Sequence, residues 1–250
     1  FGLACQACQA DENRVEKDLT FLKTAVIPMT CGQGVLPGFS EAVRSIAAHL
    51  GCPASVTEMT DAGGLGEAFA NQCELLLLAD ETSYLALHVT RQLVIDNNEA
   101  TAQGFVAGLD LMAGGVAGKK SLVIGCGPVG RSAALALAHR EAEVSLYDRD
   151  RNTAEKARDR LETAGRKDFN LCPSLEDGLA QHQLIVEATP APALITRPWI
   201  RLDMYIAAPG VPLGIDPEAH QVAASRILHD PLQIGTATMV VKALNEQKKS

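Results

Sequence analysis

Basic residues are in short supply in this chain. It has 22 Lys and Arg against 30 Asp and Glu, for a net charge of −8. A nucleic-acid binder carries the opposite balance or a clustered basic face, and the "KK" near the C-terminus reads as a solvated end. Long apolar runs are missing too. The longest candidate, "LLLLA" at Leu75–Ala79, has the length of a buried strand and falls far short of the ~20 residues of a membrane span. Neither nucleic acid nor membrane is expected as a partner. A complete zinc set is also lacking: Cys5 and Cys8 form one C-x-x-C, and no second pair or His-x-x-x-His follows, so no metal is expected. The seven cysteines (Cys5, Cys8, Cys31, Cys52, Cys73, Cys126, Cys172) are odd in number and scattered, which points to reduced thiols in a cytoplasmic protein. No signal peptide is visible. The chain opens without Met, and a missing N-terminal piece stays open as an expectation.

What is present is a chain of 250 residues, 47% of them hydrophobic. That suffices for one large or two modest domains with a real core. "TAVIP", "SVTEM" and "ELLLLAD" read as strands, the last ending at Asp80. Helical patterns lie between them: "FSEAVRSIAAHLG", with Ser40 as N-cap, and "GEAFANQC". The alternation predicts an open α/β layer. A polar stretch, "DNNEAT", precedes a helix over 101–112, and "GGVAGKK" marks a boundary. The expectation is a smaller N-terminal α/β substrate domain over 1–115. A Rossmann domain with a closing C-terminal helix follows over 116–250.

The second half carries "SLVIGCGPVGRSAALALAHREAEVSLYDRD". An apolar strand enters a G-x-G-x-x-G turn that opens a helix. Gly125 permits the turn, Gly127 leaves room for a pyrophosphate, and Gly130 lets helix and strand approach. Pro128 and Val129 complete the turn, and the helix N-terminus faces the phosphates. Asp148 ends the next strand, 18 residues after Gly130, close to the ~20 expected for the acid that accepts the ribose hydroxyls. It favours NAD over NADP, a preference that Arg149 and Arg151 temper. The nicotinamide is expected beyond the later strands, at "EATPAP" (187–192) and "APGVP" (208–212). Ala188, Thr189, Pro190, Pro209 and Gly210 are the predicted positioning groups there. Glu187 is read evenly as catalytic or as a structural hydrogen-bonder at a strand end.

A hydride donor must be held within van der Waals reach of the nicotinamide. Three first-domain loops offer polar groups for this: Thr30, Gln33 and Ser40 in one, Asp80 in the second, Asn97 and Asn98 in the third. Asp230, in "HDPLQIGTAT", precedes the last helix. Asp80 and Asp230 are read as strand-end carboxylates that need a cationic partner. Each serves as a candidate substrate ligand and catalytic group. The histidines are read as surface or core residues, with a base role for His229 held in reserve.

Taken together, "IPMTCGQGVLPGFSEAVRSIA", "LLLLADETSYLA", "IDNNEATAQGF", "VIGCGPVG", "EATP" and "HDPLQIGTATM" resemble the PylD family, the dehydrogenases of pyrrolysine biosynthesis. The resemblance runs over about residues 24–244. It implies NAD-dependent oxidation of the terminal amine carbon of L-lysine-Nε-3-methyl-D-ornithine, hydrolysis of the imine to a semialdehyde with loss of ammonia, and closure of the pyrroline ring with loss of water. On that resemblance Asp80 and Asp230 hold ammonium groups, and Asn97 and Ser40 bond the carboxylate or amide. No metal is implied, and a homodimer is left open. The chain departs from the family at Cys31 and Gln33, where "TSGNG" is usual. It departs again at Asp230 and Gln233, where glutamate and glycine are usual, and it lacks most of a longer N-terminal helical segment. Two other readings are a shikimate- or ornithine-type amino-acid or imine dehydrogenase on the same scaffold and an NAD-sensing regulator.

Overall fold

A computed structural model describes residues 1–31, 37–163, 165 and 168–245. The chain divides into two compact units: Phe1–Thr101 with Leu232–Ser250, and Ala102–Pro231.

The first unit opens with two short helices, α1 (Gly2–Ala7) and α2 (Glu12–Leu19), the latter capped by Asp11. Then follow β1 (Thr24–Ile27), α3 (Phe39–His49), β2 (Ala54–Val56), α4 (Asp61–Ala70) and β3 (Leu75–Ala79). A hairpin, β4 (Tyr84–His88) and β5 (Leu93–Asp96), leads into α5 (Asn97–Met112). The sheet order is β2-β1-β3-β4-β5. The pairs β1–β2 and β1–β3 are parallel, and β4 and β5 are antiparallel additions to β3. The α/β layer was legible, but the hairpin was not anticipated. Leu75, Leu76 and Leu77 are almost wholly buried. Each contributes about 1.5–3 kcal/mol of burial, which places β3 in the core.

Two local assignments change. Ser40 sits in the second position of α3, and its expected N-cap role falls to Gly38, at φ 79°. At that φ glycine avoids the cost any other side chain meets. The helix expected from 101 begins at Asn97, because Asp96 Oδ1 accepts from the amides of Asn98 and Glu99 (2.7 and 3.2 Å).

The second unit runs β6 (Lys120–Ile124), α6 (Pro128–His139), β7 (Glu143–Tyr147), α7 (Arg151–Thr163), β8 (Asn170–Leu171), α8 (Leu175–Gln181), β9 (Leu184–Glu187), β10 (Tyr205–Ala207), α9 (Pro217–Ala223) and β11 (Ile227–Leu228). All its strand pairs are parallel, in the order β11-β10-β9-β6-β7-β8. Counted from β6, this is the doubly wound order of a Rossmann domain, read from its far edge. Its core holds Leu122, Ile124, Leu179, Ile185 and Ile206. His182 is buried there, with Nδ1 against Gly178 O (2.7 Å) and Nε2 against Ser145 Oγ (2.8 Å).

The closing helix, α10 (Gln233–Asn245), corrects the expected domain division. It belongs to the first unit, against α1, α2, α3, β4 and β5. Its residues from Met239 to Leu244 are all buried, and a helix buried all round belongs inside a core. Polar contacts fasten its end: Arg91 donates to Leu244 O (2.6 Å), and Asn245 Nδ2 donates to Cys8 O (2.8 Å). The boundary drawn at 115–116 accordingly moves to Thr101–Ala102. It falls inside α5, where no glycine-rich break announces it.

Candidate dinucleotide site

The turn from β6 into α6 is built as its three glycines suggest. Gly125 has φ 90°, and a Cβ there would meet Thr189 Cγ2 at 2.7 Å and Ala188 O at 2.8 Å. A Cβ on Gly130 would overlap the carbonyl oxygen of Gly125. Gly127, the N-cap of α6, differs: nothing lies within 4 Å of its Cβ position, and no side chain caps the helix. The first amides of a twelve-residue helix thus border an open space, with Pro128 at its first turn. Such a terminus favours an anion. A dinucleotide's pyrophosphate fits this cradle, which a single methyl on Gly127 would enter.

Asp148 follows β7 and stands beside the same turn. Its Oδ2 accepts from Cys126 N (2.8 Å), and its Oδ1 accepts from Asp150 N (3.0 Å). Each oxygen retains a second acceptor direction for a ribose hydroxyl. Burial and the neighbouring Asp148 push the Cys126 thiol up to about 12, so it stays protonated. A hollow of about 100 Å³ lies next to Asp148, bordered by Tyr147, Arg149, Arg151, Leu171 and Cys172. Arg151 is held by Glu155 at 2.9 Å, which occupies one of the two arginines that could receive a 2′-phosphate.

The loops after β9 and β10 meet at Glu187, which is fully buried. Glu187 Oε1 accepts from Thr189 N (2.8 Å) and Thr189 Oγ1 (2.5 Å). Oε2 has no hydrogen-bond partner. A Cβ on Gly210 would come within 2.7 Å of that oxygen, and one on Gly214 within 2.5 Å. Burial pushes the Glu187 carboxyl up. Hydrogen bonds from Thr189, a backbone hydrogen bond from Gly214 and the charge of His229 pull it partly back. His229 Nδ1 lies 2.7 Å from Ala208 O. The structure therefore joins Gly125, Ala188, Thr189, Gly210 and Glu187 in one cluster. Pro190 is exposed and Pro209 half-buried in the same two loops.

The first-unit residues are placed less as expected. Asp80 is exposed rather than buried at its strand end. Its Oδ1 accepts from Thr82 N, Thr82 Oγ1 and Ser83 N (2.7, 2.8 and 2.8 Å), which closes the β3–β4 turn and holds its carboxyl below the usual range. Short polar side chains accept from their own following amides in this way. The premise that Asp80 needs a cation to offset burial is thus removed. Thr30 donates both its amide and its hydroxyl to Asp61. Asn97 Oδ1 accepts from Thr101 Oγ1 (3.1 Å) and lies where a Cβ on Gly235 would fall. Ser40 and Asp230 are half-buried, and Gln33 lies outside the described residues. Among the described residues no group of three or more His, Cys, Asp or Glu could hold a metal ion, and no helix is long and apolar enough to cross a membrane. Sequence reasoning missed Gly214, whose missing side chain makes room for Glu187. It also missed Lys242, buried and paired with Glu99 at 2.7 Å. The pattern of α10 gave no hint of a buried lysine.

With this geometry in view, relatives place the chain. Residues 120–188 match the family model described as 3-hydroxyacyl-CoA dehydrogenase, NAD binding domain, and residues 3–95 match Pyrrolysine biosynthesis protein PylD, N-terminal domain. Quinate dehydrogenase from Corynebacterium glutamicum, solved in complex with NAD, superposes with a TM-score of 0.62 at 14% identity, over 88% of this chain and 93% of that one. Shikimate dehydrogenase from Aquifex aeolicus gives 0.62 at 15%, over 89% and 92%. At such identities these two speak for the fold alone. The matched NAD-binding domain, together with the sequence relatives that follow, supports an NAD-dependent dehydrogenase. Pyrrolysine synthase of Methanosarcina acetivorans is 29% identical over 222 residues, 89% of this chain and 82% of that protein. Its counterpart from Methanosarcina barkeri is 29% identical over 224 residues, 89% and 81%. The chain thus resembles pyrrolysine synthases over most of its length, and its N-terminal part matches the PylD N-terminal domain.

Proposed function

We propose that the protein is a pyrrolysine-forming dehydrogenase. Its substrate is the isopeptide of lysine and 3-methyl-D-ornithine. Likeness to pyrrolysine synthases over 89% of the chain supports this reading most. NAD, when bound, accepts a hydride from the carbon that bears the terminal amine. The α6 amides near Gly127 hold the pyrophosphate, and Asp148 accepts the adenosine ribose hydroxyls. Arg149 borders the adenine side, while Ala188, Thr189, Pro190, Pro209 and Gly210 flank the nicotinamide.

On the substrate side, Asp80 and Asp230 hold ammonium groups. Asp80 stays charged at neutral pH, and with Oδ1 taken up by its turn, Oδ2 is the oxygen that receives the ammonium. Asn97 and Ser40 bond the carboxylate or amide, and Gln33 is retained as a contact of the same group. Thr30 is itself held by Asp61. Imine hydrolysis and ring closure then need mainly positioning, because the second amine is already part of the same molecule. The reduced cysteines suit a cytoplasmic enzyme.

The test is incubation of the purified protein with the isopeptide and NAD. NADH is expected by absorbance and pyrrolysine by mass spectrometry. Folded protein that binds NAD yet forms neither product refutes the assignment. A panel of quinate, shikimate and small amino acids then identifies the alternative.

A further inference from the structure

Glu187 is the only carboxylate among the buried polar residues that the structure describes. It ends β9, in register with Ile124 at the end of β6, on the edge of the sheet where the glycine turn begins. The turn and Glu187 are linked by one residue: Thr189 donates twice to Oε1 and packs its methyl on the Cβ position of Gly125. Oε2 is buried without a hydrogen bond of ordinary geometry, and the Gly214 backbone acts on the carboxyl as a further donor. Two glycines, Gly210 and Gly214, are crowded against it closely enough to exclude any Cβ. An ordinary strand-end acid does not need this. A capping carboxylate fills both oxygens or meets water, because an unpaired buried charge is costly.

The two loops that cover Glu187 carry no charge. Residues 188–192 and 209–214 contain no titratable side chain. From the turn, Cys126 is a buried neutral thiol. His229, after β11, is the titratable group that acts on Glu187. Among the described residues no lysine or arginine bears on Glu187, and His229 is its one charged neighbour. In a sheet of this order the nicotinamide ring lies outside the carboxyl ends of the strands that Glu187 belongs to. That ring is positive when oxidised and neutral when reduced.

We propose that Glu187 is the charge partner of the oxidised nicotinamide: its carboxyl gives up a proton when NAD+ binds and holds one when the bound form is NADH. This inference rests on the NAD-dependent reading above and deepens it. Protonated, Glu187 is a neutral group in an apolar niche. A positive charge seated beside it favours the carboxylate, and the proton on Oε2 passes to solvent. The reaction leaves a proton to place, because a primary ammonium becomes an iminium by losing one hydride and one proton. Glu187 takes up one proton as the neighbouring charge disappears and returns it when NADH is exchanged for NAD+. A buried acid thereby ties cofactor exchange to proton release. Asp148 faces the same ribose in both redox forms, so it does not contribute to the difference.

Proton linkage measured without substrate tests this. NAD+ and NADH are titrated separately into the full chain near neutral pH, in two buffers of different ionisation enthalpy, and calorimetry yields the protons exchanged. Binding of NAD+ is expected to release up to about one proton more than binding of NADH. Glu187→Gln is expected to bind both forms with equal proton counts, and His229→Gln is expected to keep the difference. Equal counts in the wild type overturn the proposal. So does a difference that persists in Glu187→Gln or vanishes in His229→Gln. If Glu187→Gln does not fold, the wild type and His229→Gln decide by the same criteria. Absence of any binding heat with either form overturns the dinucleotide reading as well, which distinguishes the two failures.

Discussion

Gly127 and Gly130 stand three residues apart in one turn, yet alanine should act on them in opposite ways. At Gly127 the backbone has φ −67° and ψ −171°, which any residue adopts, and a Cβ meets nothing within 4 Å. Alanine there stiffens the unfolded chain, a gain of about 0.4–1 kcal/mol. It is also a poorer N-cap than glycine, which costs a comparable fraction of a kcal/mol. The two terms nearly cancel, so stability should stay within about 1 kcal/mol of wild type. Binding is different. A methyl in the open space displaces the pyrophosphate from the α6 amides. Loss of one charged hydrogen bond is worth about 1.5–3 kcal/mol, a weakening of NAD of roughly 10–150-fold. At Gly130 the new Cβ overlaps Gly125 O, an atom of rigid backbone, and then Gly125 C at 2.9 Å. Helix α6 must move off β6, at an overpacking cost of about 1–3 kcal/mol or more, with NAD binding impaired as a consequence. Urea unfolding gives the stabilities and calorimetry the affinities. Unchanged NAD affinity in Gly127→Ala would refute the cradle argument, and wild-type stability in Gly130→Ala would refute the packing argument.

Other substitutions test the remaining features. Asp148→Asn keeps an acceptor for only one of the Cys126 and Asp150 amides and removes the charge; NAD should weaken by about 10-fold or more, and the preference over NADP should shrink, both measured by calorimetry. Lys242→Met retains the buried stem and removes a desolvated ammonium whose partner Glu99 is 52% exposed. Its unfolding free energy in urea should change by less than about 1 kcal/mol or rise, whereas Lys242→Ala should lose about 2–4 kcal/mol with the packing. Burial holds the His182 imidazole below its usual pKa, assisted by Lys120 and Arg201 and opposed by the bond to Gly178. Its contribution is complete above about pH 6.5 and lost as pH falls through the lower folded value; His182→Gln should flatten that acid limb in urea titrations. Glu187 has the opposite sign. Its raised folded pKa favours the fold below the ordinary carboxyl value of 4.5, and that advantage is lost as pH rises through the folded value. Urea titrations should show Glu187→Gln gaining on wild type with rising pH, and a constant gap would contradict a buried acid.

The cofactor half of the protein was legible because its geometry is local. Gly125, Gly127, Gly130 and Asp148 act through backbone contacts within one β–α–β unit, and the register of β6 and β7 puts Asp148 beside the turn. Spacing along the chain therefore stands for spacing in space. The first unit had no such shortcut. Asp80 looked like a buried strand end because the hairpin was missed, although "YLALH" pairs with "LLLLA" residue by residue. Once the hairpin exists, Asp80 is a turn residue. The place of α10 could not be read at all. Its stretch from Met239 to Leu244 is buried all round, so its pattern names no face and no partner sheet.

Glu187 shows where the boundary of legibility lies. An acid at the end of an apolar strand reads the same whether its side chain turns to solvent or into the protein, and the sequence left its role evenly divided. What favours the role proposed above is far along the chain: Gly210 and Gly214 withdraw their side chains, and Thr189 folds back onto Oε1. These make a niche that fits a carboxyl group and leaves one oxygen unpaired. If the niche served packing alone, an apolar side chain of similar volume would fill it at lower cost. A carboxyl retained there has a use that a hydrocarbon lacks, which is to change charge, and the ring that changes charge in this fold is the nicotinamide.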